Sequence, residues 1–109
     1  MGRRLEIETV RHGEELVLAG RLDARNAPNA RAVLHDAVND GVGDLVLQVS
    51  DLEIWDSTGL GVIVGVARRA RRVERRLVLD GVQPREARLL RATRMSRVLG
   101  LGVEAPVGW

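Results

Sequence analysis

A carboxylate and two hydroxyls stand directly ahead of the most apolar helix predicted for this chain, in the stretch WDSTGLGVIVG. Asp56, Ser57 or Thr58 can cap that helix, because a side-chain oxygen there accepts hydrogen bonds from N–H groups of the first turn. Capping leaves Gly61 and Gly65 unexplained: they share one helix face, and each costs about 1 kcal/mol relative to alanine. Close packing inside the fold is one interpretation of the two glycines, and a surface for a partner is the other.

The same stretch fits the common catalytic and nucleotide-binding motifs poorly. GLGVIVG is close to the dinucleotide fingerprint, but that fingerprint follows the first strand of a βαβ unit, and here it follows the third strand. A P-loop needs a lysine, and all 17 basic residues are arginines. The hydrolase elbow G-x-S-x-G is absent, and His12 and His35, both expected to be exposed, have no supporting motif. We therefore expect no enzyme, no cofactor, and no catalytic or metal-binding residue.

Length and composition indicate one small globular domain. The chain has 109 residues, 45% of them hydrophobic, and no cysteine, which excludes disulfides and thiolate chemistry. The formal net charge is only +2, so the arginines by themselves do not indicate a nucleic-acid partner. There is no secretory leader, and the longest apolar stretch, residues 59–67, falls far short of the ~20 residues that a membrane span needs. A cytoplasmic domain without membrane contact is the expectation.

Hydrophobic periodicity predicts strands and helices in the order β β α β α β α, with one more short strand. The strands are predicted at Leu5–Val10, Leu16–Ala19, Leu45–Val49 and Leu77–Leu79, followed by a helical turn at Met95–Leu99 and a last strand at Val103. The helices are predicted from Asn26, as N-cap, to Gly41, from Ser57 to Arg72, and from Pro84 onward. The core stripe of the second helix is predicted to be Leu60, Ile63, Val64, Ala67 and Ala70. This order predicts an α/β fold, with a mixed four- to five-stranded sheet that begins with a hairpin, continues mostly parallel, and packs against helices.

Two segments in this order, LDARNAP and LVLQVSDLEIWDSTGLGVIVGVARRA, closely resemble the STAS domain of bacterial anti-sigma factor antagonists. The family pattern is G-x-L-D after the second strand and D-S-[ST]-G-L-G at the start of the second helix. The resemblance runs to about Leu101 and implies a single STAS domain over residues 1–109. Only GVEAPVGW follows, which implies a C-terminal helix that is short or absent. A sheet face or groove left uncovered in this way would favour a homodimer.

The resemblance also implies a function. In this family the serine after the aspartate, here Ser57, is phosphorylated by the partner, an anti-sigma factor with GHKL-type serine kinase activity. The unphosphorylated form binds that partner and releases sigma factor, and a PP2C-type phosphatase restores it. Residue-by-residue matching implies partner contacts at Asp23, Asp56, Ser57, Thr58, Gly59, Leu60 and Gly61. Thr58 is the rival phosphate acceptor, but its β-branch and an inward lean favour capping. The N-terminus of the helix is expected to tolerate the phosphate, because its N–H groups favour anions.

Other functions remain open at this point. The same domain type could be a subunit of a stressosome-like or lipid-transport assembly, although the complete D-S-T-G-L-G motif argues against a transport subunit. A nucleotide-binding module is a second alternative. The arginine cluster at residues 68–76 is interpreted either as the polar end of a helix or as a patch for an acidic partner or nucleic acid. No direct nucleic-acid binding is expected, because aromatic residues are not interleaved with the arginines.

Overall fold

The computed structural model of the chain describes residues 3–93 and, as backbone, residues 99–101. The strands within these ranges are β1 (Glu6–Arg11), β2 (Glu15–Leu22), β3 (Leu45–Ile54), β4 (Leu77–Asp80) and β5 (Leu99–Leu101). The helices are α1 (Ala27–Asn39), α2 (Ser57–Arg72) and α3 (Pro84–Ala92). Leu99 therefore begins a strand and does not belong to a helical turn. The rest of that predicted turn, residues 95–98, and the strand predicted at Val103 lie outside the described residues.

The five strands form one sheet in the order β1-β2-β3-β4-β5. β1 and β2 are an antiparallel hairpin, and every later pair is parallel. Each helix connects two neighbouring strands in the same direction along the sheet. Because such crossovers are right-handed, the three helices lie on one face of the sheet. The predicted α/β fold, with its hairpin followed by a parallel sheet against helices, is confirmed.

The core lies between that sheet face and the helices. Along β2, buried and half-buried residues alternate without interruption, as expected for a strand with one face against helices. Glycine and alanine at the helix positions that face the sheet let the layers approach closely. The fully buried large side chains are Leu16, Leu18, Leu22, Leu34, Val38, Leu45, Leu47, Leu52, Ile63, Leu77, Leu79 and Leu90.

β3 runs further than predicted because it contains a bulge. Ser50 and Asp51, whose polarity indicates the end of a strand, lie inside it and are exposed. Val17 pairs with Gln48 and Ala19 with Asp51, so β3 has one residue more than β2 between these pairs. A bulge of this kind turns the extra residue away from the ladder, and the strand then resumes its pairing.

The inward face of α2 differs from the predicted stripe. Leu60 and Val64, predicted in the core, are half-buried, whereas Val62 and Val66 are fully buried. At the first turn of the helix, the buried Gly59 lies against the carbonyl of Leu22 at the end of β2. A close contact there is consistent with this rotation of the helix, which periodicity within the helix does not predict.

A buried arginine joins three segments at the amino ends of the parallel strands. Arg75 is 5% exposed, and its guanidinium donates to backbone carbonyls. The acceptors are Ala37 (2.9 Å), Val38 (3.0 Å), Gly13 (2.6 Å) and Gly43 (2.9 Å). The carbonyls at the end of α1 lack helical partners and carry the negative end of the helix dipole, so a cation is favourable there. One side chain thus holds the end of α1, the hairpin turn and the loop into β3.

The end of α2 brings Arg75 into this position. Glu74 has φ = 61°, a left-handed conformation that glycine adopts more easily. Its N–H donates to the carbonyl of Arg71 (3.0 Å), and the N–H of Arg75 donates to that of Ala70 (2.8 Å), which is the Schellman pattern. Arg71 and Arg72 are exposed, as the polar end of a helix should be. The buried role of Arg75 was not predicted by either interpretation of the cluster.

Within residues 3–93 and 99–101, no helix reaches the length and hydropathy that crossing a membrane requires. The extent of a single domain over residues 1–109 and the short or absent C-terminal helix stay predictions, because residues 102–109 are not described.

Arg75→Met should destabilise the fold by about 3 kcal/mol or more, because several buried carbonyls lose a charged donor at once. Arg76→Met is the matched control: Arg76 pairs with Asp44 at 3.1 Å, and both side chains are largely exposed. Its free energy of unfolding should change by less than about 1 kcal/mol. Urea unfolding followed by circular dichroism measures both. Equal effects of the two substitutions would contradict the structural role of Arg75.

Candidate functional site

Asp56 organises the segment between β3 and α2. It is the N-cap residue, in an extended conformation (φ −147°, ψ 177°), and α2 begins at the next residue. One carboxylate oxygen accepts the N–H of Gly59 at 2.8 Å, and the other accepts the N–H of Ala24 at 2.9 Å. The same side chain therefore caps the helix and holds the loop between β2 and α1 against it. The predicted cap is confirmed, and Asp56 provides it.

These hydrogen bonds lower the pKa of Asp56 below its ordinary value of 3.8. The largest cause is the N–H of Gly59, followed by the N–H of Ala24, and Thr58 adds a smaller contribution from its own N–H. Partial desolvation acts in the opposite direction but is outweighed. Asp56 is therefore ionised at neutral pH, and a fixed negative charge stands beside Ser57.

Asp23 lies in the neighbouring loop and is 8% exposed. One of its oxygens accepts the N–H groups of Arg25 (3.0 Å) and Asn26 (3.3 Å), and the other lies 3.4 Å from Arg21. Ala24, the next residue, is bonded to Asp56, so the Asp23 loop does adjoin the start of α2. The Asp23 carboxylate is occupied by its own loop, and it shapes this loop more than it presents an open surface.

Asn26 precedes α1 as predicted, but its side chain does not cap the helix. Its oxygen accepts the N–H of Asp23 (3.0 Å), and its amide nitrogen donates to the carbonyl of Arg21 (2.8 Å). The Asn26 side chain therefore points back into the loop. Asn26 and Asp23 each accept the backbone N–H of the other, and these two hydrogen bonds close the loop. The N-cap position predicted for Asn26 is confirmed, but the side-chain hydrogen bond expected of a cap is not made.

Ser57 and Thr58 are both exposed in the first turn of α2. The predicted inward lean of Thr58 is therefore wrong, and Asp56 supplies the carboxylate that caps the helix. The Ser57 side chain lies at the mouth of a groove, described below. Exposure alone does not distinguish the two hydroxyls as phosphate acceptors. Their position does, because Ser57 lines the groove and Thr58 does not.

The three glycines of the stretch WDSTGLGVIVG, which are Gly59, Gly61 and Gly65, have different surroundings. A Cβ on Gly59 would lie 2.5 Å from the carbonyl oxygen of Leu22, so glycine is needed there for internal packing. In the described part of the chain, apart from neighbouring residues and the helix's own backbone, no atom lies within 4 Å of the Cβ position at Gly61 or at Gly65. Close packing inside the fold is therefore the wrong interpretation of Gly61 and Gly65, and it holds instead for Gly59, which is buried.

A groove of about 220 Å³ opens beside Ser57, between the first turns of α2 and α3. Trp55, 53% exposed, stands on its rim, and the Arg21 guanidinium lies 4.5 Å from the centre of the indole ring. In the described structure neither histidine lines this groove. The lining residues are Ile54, Trp55, Asp56, Ser57, Leu60, Arg85 and Leu89.

The sequence analysis did not identify Arg85 and Glu86, which join α3 to this site. Glu86 is 4% exposed and accepts the N–H of Ile54 at 3.1 Å. Arg85 donates to the carbonyl of Ile54 (2.9 Å) and to the carboxylate of Glu86 (2.8 Å). The sequence did contain a signal for Glu86: it lies on the inward face of α3 with Ala87 and Leu90, where a carboxylate without a partner would be costly.

Comparisons with known proteins agree with the fold and with the family resemblance. Residues 6–106 match the STAS domain family. The chain is similar to the anti-sigma-B factor antagonists of Staphylococcus epidermidis and Staphylococcus aureus, each 32% identical over 91 residues, which span 82% of this chain and 84% of theirs. The solved structure of the anti-sigma factor antagonist SpoIIAA in its unphosphorylated form has a TM-score of 0.70 at 22% identity, covering 93% of this chain and 90% of that one. The phosphorylated form of the Bacillus cell fate determinant SpoIIAA has a TM-score of 0.68 at 23% identity, covering 93% of both chains.

Fold and site together define an α/β domain with three helices on one sheet face and a D-S-T-G-L-G motif at the start of its second helix. The chain belongs to the STAS domain family.

The glycines should respond to alanine in opposite directions. Gly59→Ala should destabilise the fold by about 1–3 kcal/mol, because the added methyl group meets the Leu22 carbonyl. Gly61→Ala should stabilise it by up to about 1 kcal/mol, because the methyl group meets open space and alanine is the better helix former. Chemical denaturation of the two variants makes the comparison. Destabilisation by both would show that Gly61 is also packed against the fold.

Asp56→Asn should destabilise the fold at pH 7, and its deficit should shrink as the pH falls below about 4. Because the folded-state pKa lies below 3.8, the ionised carboxylate stabilises the fold above that pH, and this contribution is lost as the pH falls through the folded pKa. Urea unfolding at pH 7, 5, 4 and 3 measures the effect, and Asp36→Asn, at an exposed position on α1, controls for the loss of one charge. A deficit that is the same at every pH would argue against an ionised cap.

Proposed function

We propose that this protein is a cytoplasmic anti-sigma factor antagonist whose binding is switched by phosphorylation of Ser57. In its unmodified form it binds an anti-sigma factor that has GHKL-type serine kinase activity, and sigma factor is thereby released. The kinase moves the terminal phosphoryl group of ATP to the Ser57 hydroxyl oxygen, with ADP leaving and the hydroxyl proton lost. A PP2C-type phosphatase then hydrolyses the ester and returns the serine. The protein itself is a kinase substrate and binding protein, with no direct contact to nucleic acid or membrane.

The observation that carries this proposal is the position of Ser57. Its side chain is exposed at the head of α2, and it lines a groove whose other walls are largely apolar. One turn further along the helix, Gly61 is exposed with open space before it, so a partner backbone can approach closely. The relatives named anti-sigma-B factor antagonists favour an anti-sigma factor as that partner.

Electrostatics supports a binding switch that leaves the fold intact. A phosphate adds about −1.5 to −2 charges at pH 7. It would stand beside the ionised carboxylate of Asp56, and a partner surface complementary to a neutral hydroxyl would then meet a concentrated negative charge. Because Ser57 is exposed, the phosphate displaces no core side chain. Phosphorylation therefore changes docking more than folding.

The size of the groove favours a protein partner over a nucleotide. Sites for drug-sized ligands usually enclose about 300–1,000 Å³. The groove beside Ser57 holds about 220 Å³ and is open on one side, which suits a single inserted side chain. A homodimer through the sheet face that no described helix covers stays a prediction.

Incubation with the anti-sigma kinases of the same genome, followed by phosphopeptide mapping, should place the phosphate on Ser57. Ser57→Ala should bind the partner constitutively, and Ser57→Asp should bind at least about tenfold more weakly, a loss of about 1.4 kcal/mol. Thr58→Ala, at the exposed neighbouring residue, is the matched control and should still be phosphorylated and released. Calorimetry or Trp55 fluorescence measures the affinities. Modification at Thr58, or equal affinity of both forms, would overturn the proposal.

A further inference from the structure

We infer that a phosphate on Ser57 pairs with the guanidinium of Arg85, across the groove that both residues line. This inference rests on the proposed phosphorylation of Ser57 and assigns the site that receives the phosphate. It concerns a cation that α3, a separate element more than twenty residues further along the chain, brings to the serine.

The backbone at the start of α2 offers the phosphate little. The N–H of Gly59 is bonded to the carboxylate of Asp56, and the N–H of Thr58 interacts with the same carboxylate. The N–H of Leu60 donates to the Asp56 carbonyl at 3.0 Å. The sequence-based expectation that this helix start tolerates a phosphate stays a prediction. Asp56 engages the N–H groups of Gly59, Thr58 and Leu60 and adds a negative charge, so a donor from another element would favour the phosphate.

Arg85 is placed and oriented to be that donor. Its Nη1 donates to the carbonyl of Ile54 at 2.9 Å and to the carboxylate of Glu86 at 2.8 Å, which fixes the plane of the guanidinium. Ile54 is three residues before Ser57, so this anchor lies close to the serine along the chain. Within the described residues, the hydrogen bonds of Arg85 use Nη1, which leaves Nε and Nη2 for a second, two-pronged contact. Its side chain is 53% exposed and opens into the groove.

The other charged groups near Ser57 do not replace Arg85. Arg21, which stacks on Trp55 at the rim of the groove, is paired with Asp23 at 3.4 Å. Asp56 lines the groove and opposes the phosphate, and the buried Glu86 offsets part of the charge on Arg85. Because Glu86 offsets part of the charge and Arg85 is partly exposed, we expect Arg85 to lower the pKa of the phosphate by a moderate, measurable amount.

The test uses the full chain with phosphoserine inserted at position 57 during translation, so it needs neither a kinase nor a partner. A pH titration by ³¹P NMR reads the second ionisation of the phosphate, which lies near pH 6 in the absence of interactions. In the otherwise unchanged protein, pairing with Arg85 should lower this pKa. Arg85→Gln should raise it by about 0.3–0.7 units, the size expected for a partly exposed charge pair.

Arg88→Gln is the matched control, because Arg88 is an exposed arginine one turn further along α3 and does not line the groove. It removes the same formal charge and should shift the pKa by no more than about 0.1 units. Equal shifts in the two variants, or no shift in either, would overturn the inference. If Arg85→Gln does not fold, Arg85→Lys takes its place: a single ammonium without the planar fork should leave the phosphate pKa higher than in the parent protein and in Arg88→Gln. A pKa equal to theirs would overturn the inference.

The outcome separates this inference from the proposed function. A phosphate whose pKa responds to Arg85, in a protein whose partner ignores phosphorylation, would support the pairing and refute the switch. A partner released by phosphorylation, with a phosphate that titrates independently of Arg85, would support the switch and refute the pairing.

Discussion

The site depends on one carboxylate that makes two hydrogen bonds in different directions. Asp56 caps α2 through the N–H of Gly59 and holds the preceding loop through the N–H of Ala24. Because both bonds use the ionised form, the charge, the helix start and the loop position are coupled. Ser57 is exposed beside this arrangement, and the N–H groups of Gly59 and Leu60 in the first turn already have acceptors. The proposed pairing of a Ser57 phosphate with Arg85 would supply a donor from another element.

The buried arginine and the candidate functional site lie at opposite ends of the sheet. At the amino ends of the parallel strands, Arg75 is buried and binds carbonyls from segments that are distant in sequence. At the carboxyl ends, Asp56 and Arg85 stand around an open groove, in the region where α/β sheets usually bind their ligands. The first group fixes how the loops pack, and the second leaves a surface that a partner can occupy.

Two glycines of α2 are not explained by stability. Gly61 is exposed and Gly65 is half-buried, and within the described residues alanine at either position would meet no atom outside its own helix and would favour the helix. Natural proteins commonly leave a gain in stability of this kind unused. Gly59 has the opposite reason for its small size, because a backbone carbonyl already lies against it.

Sequence patterns by themselves determined the order of the elements from β1 to α3, the start of α2 at Ser57, the α/β fold with its hairpin, and a polar cap at residues 56–58. These features depend on period, polarity and neighbours within a few residues, which the sequence shows directly. Only the tertiary structure decided which face of α2 is buried, that Arg75 joins three loops, and that Arg85 and Glu86 reach the Ser57 groove. Those contacts join residues about thirty to sixty positions apart, and their geometry depends on how the helices are rotated against the sheet. No local pattern specifies that rotation, because it follows from packing the layers together.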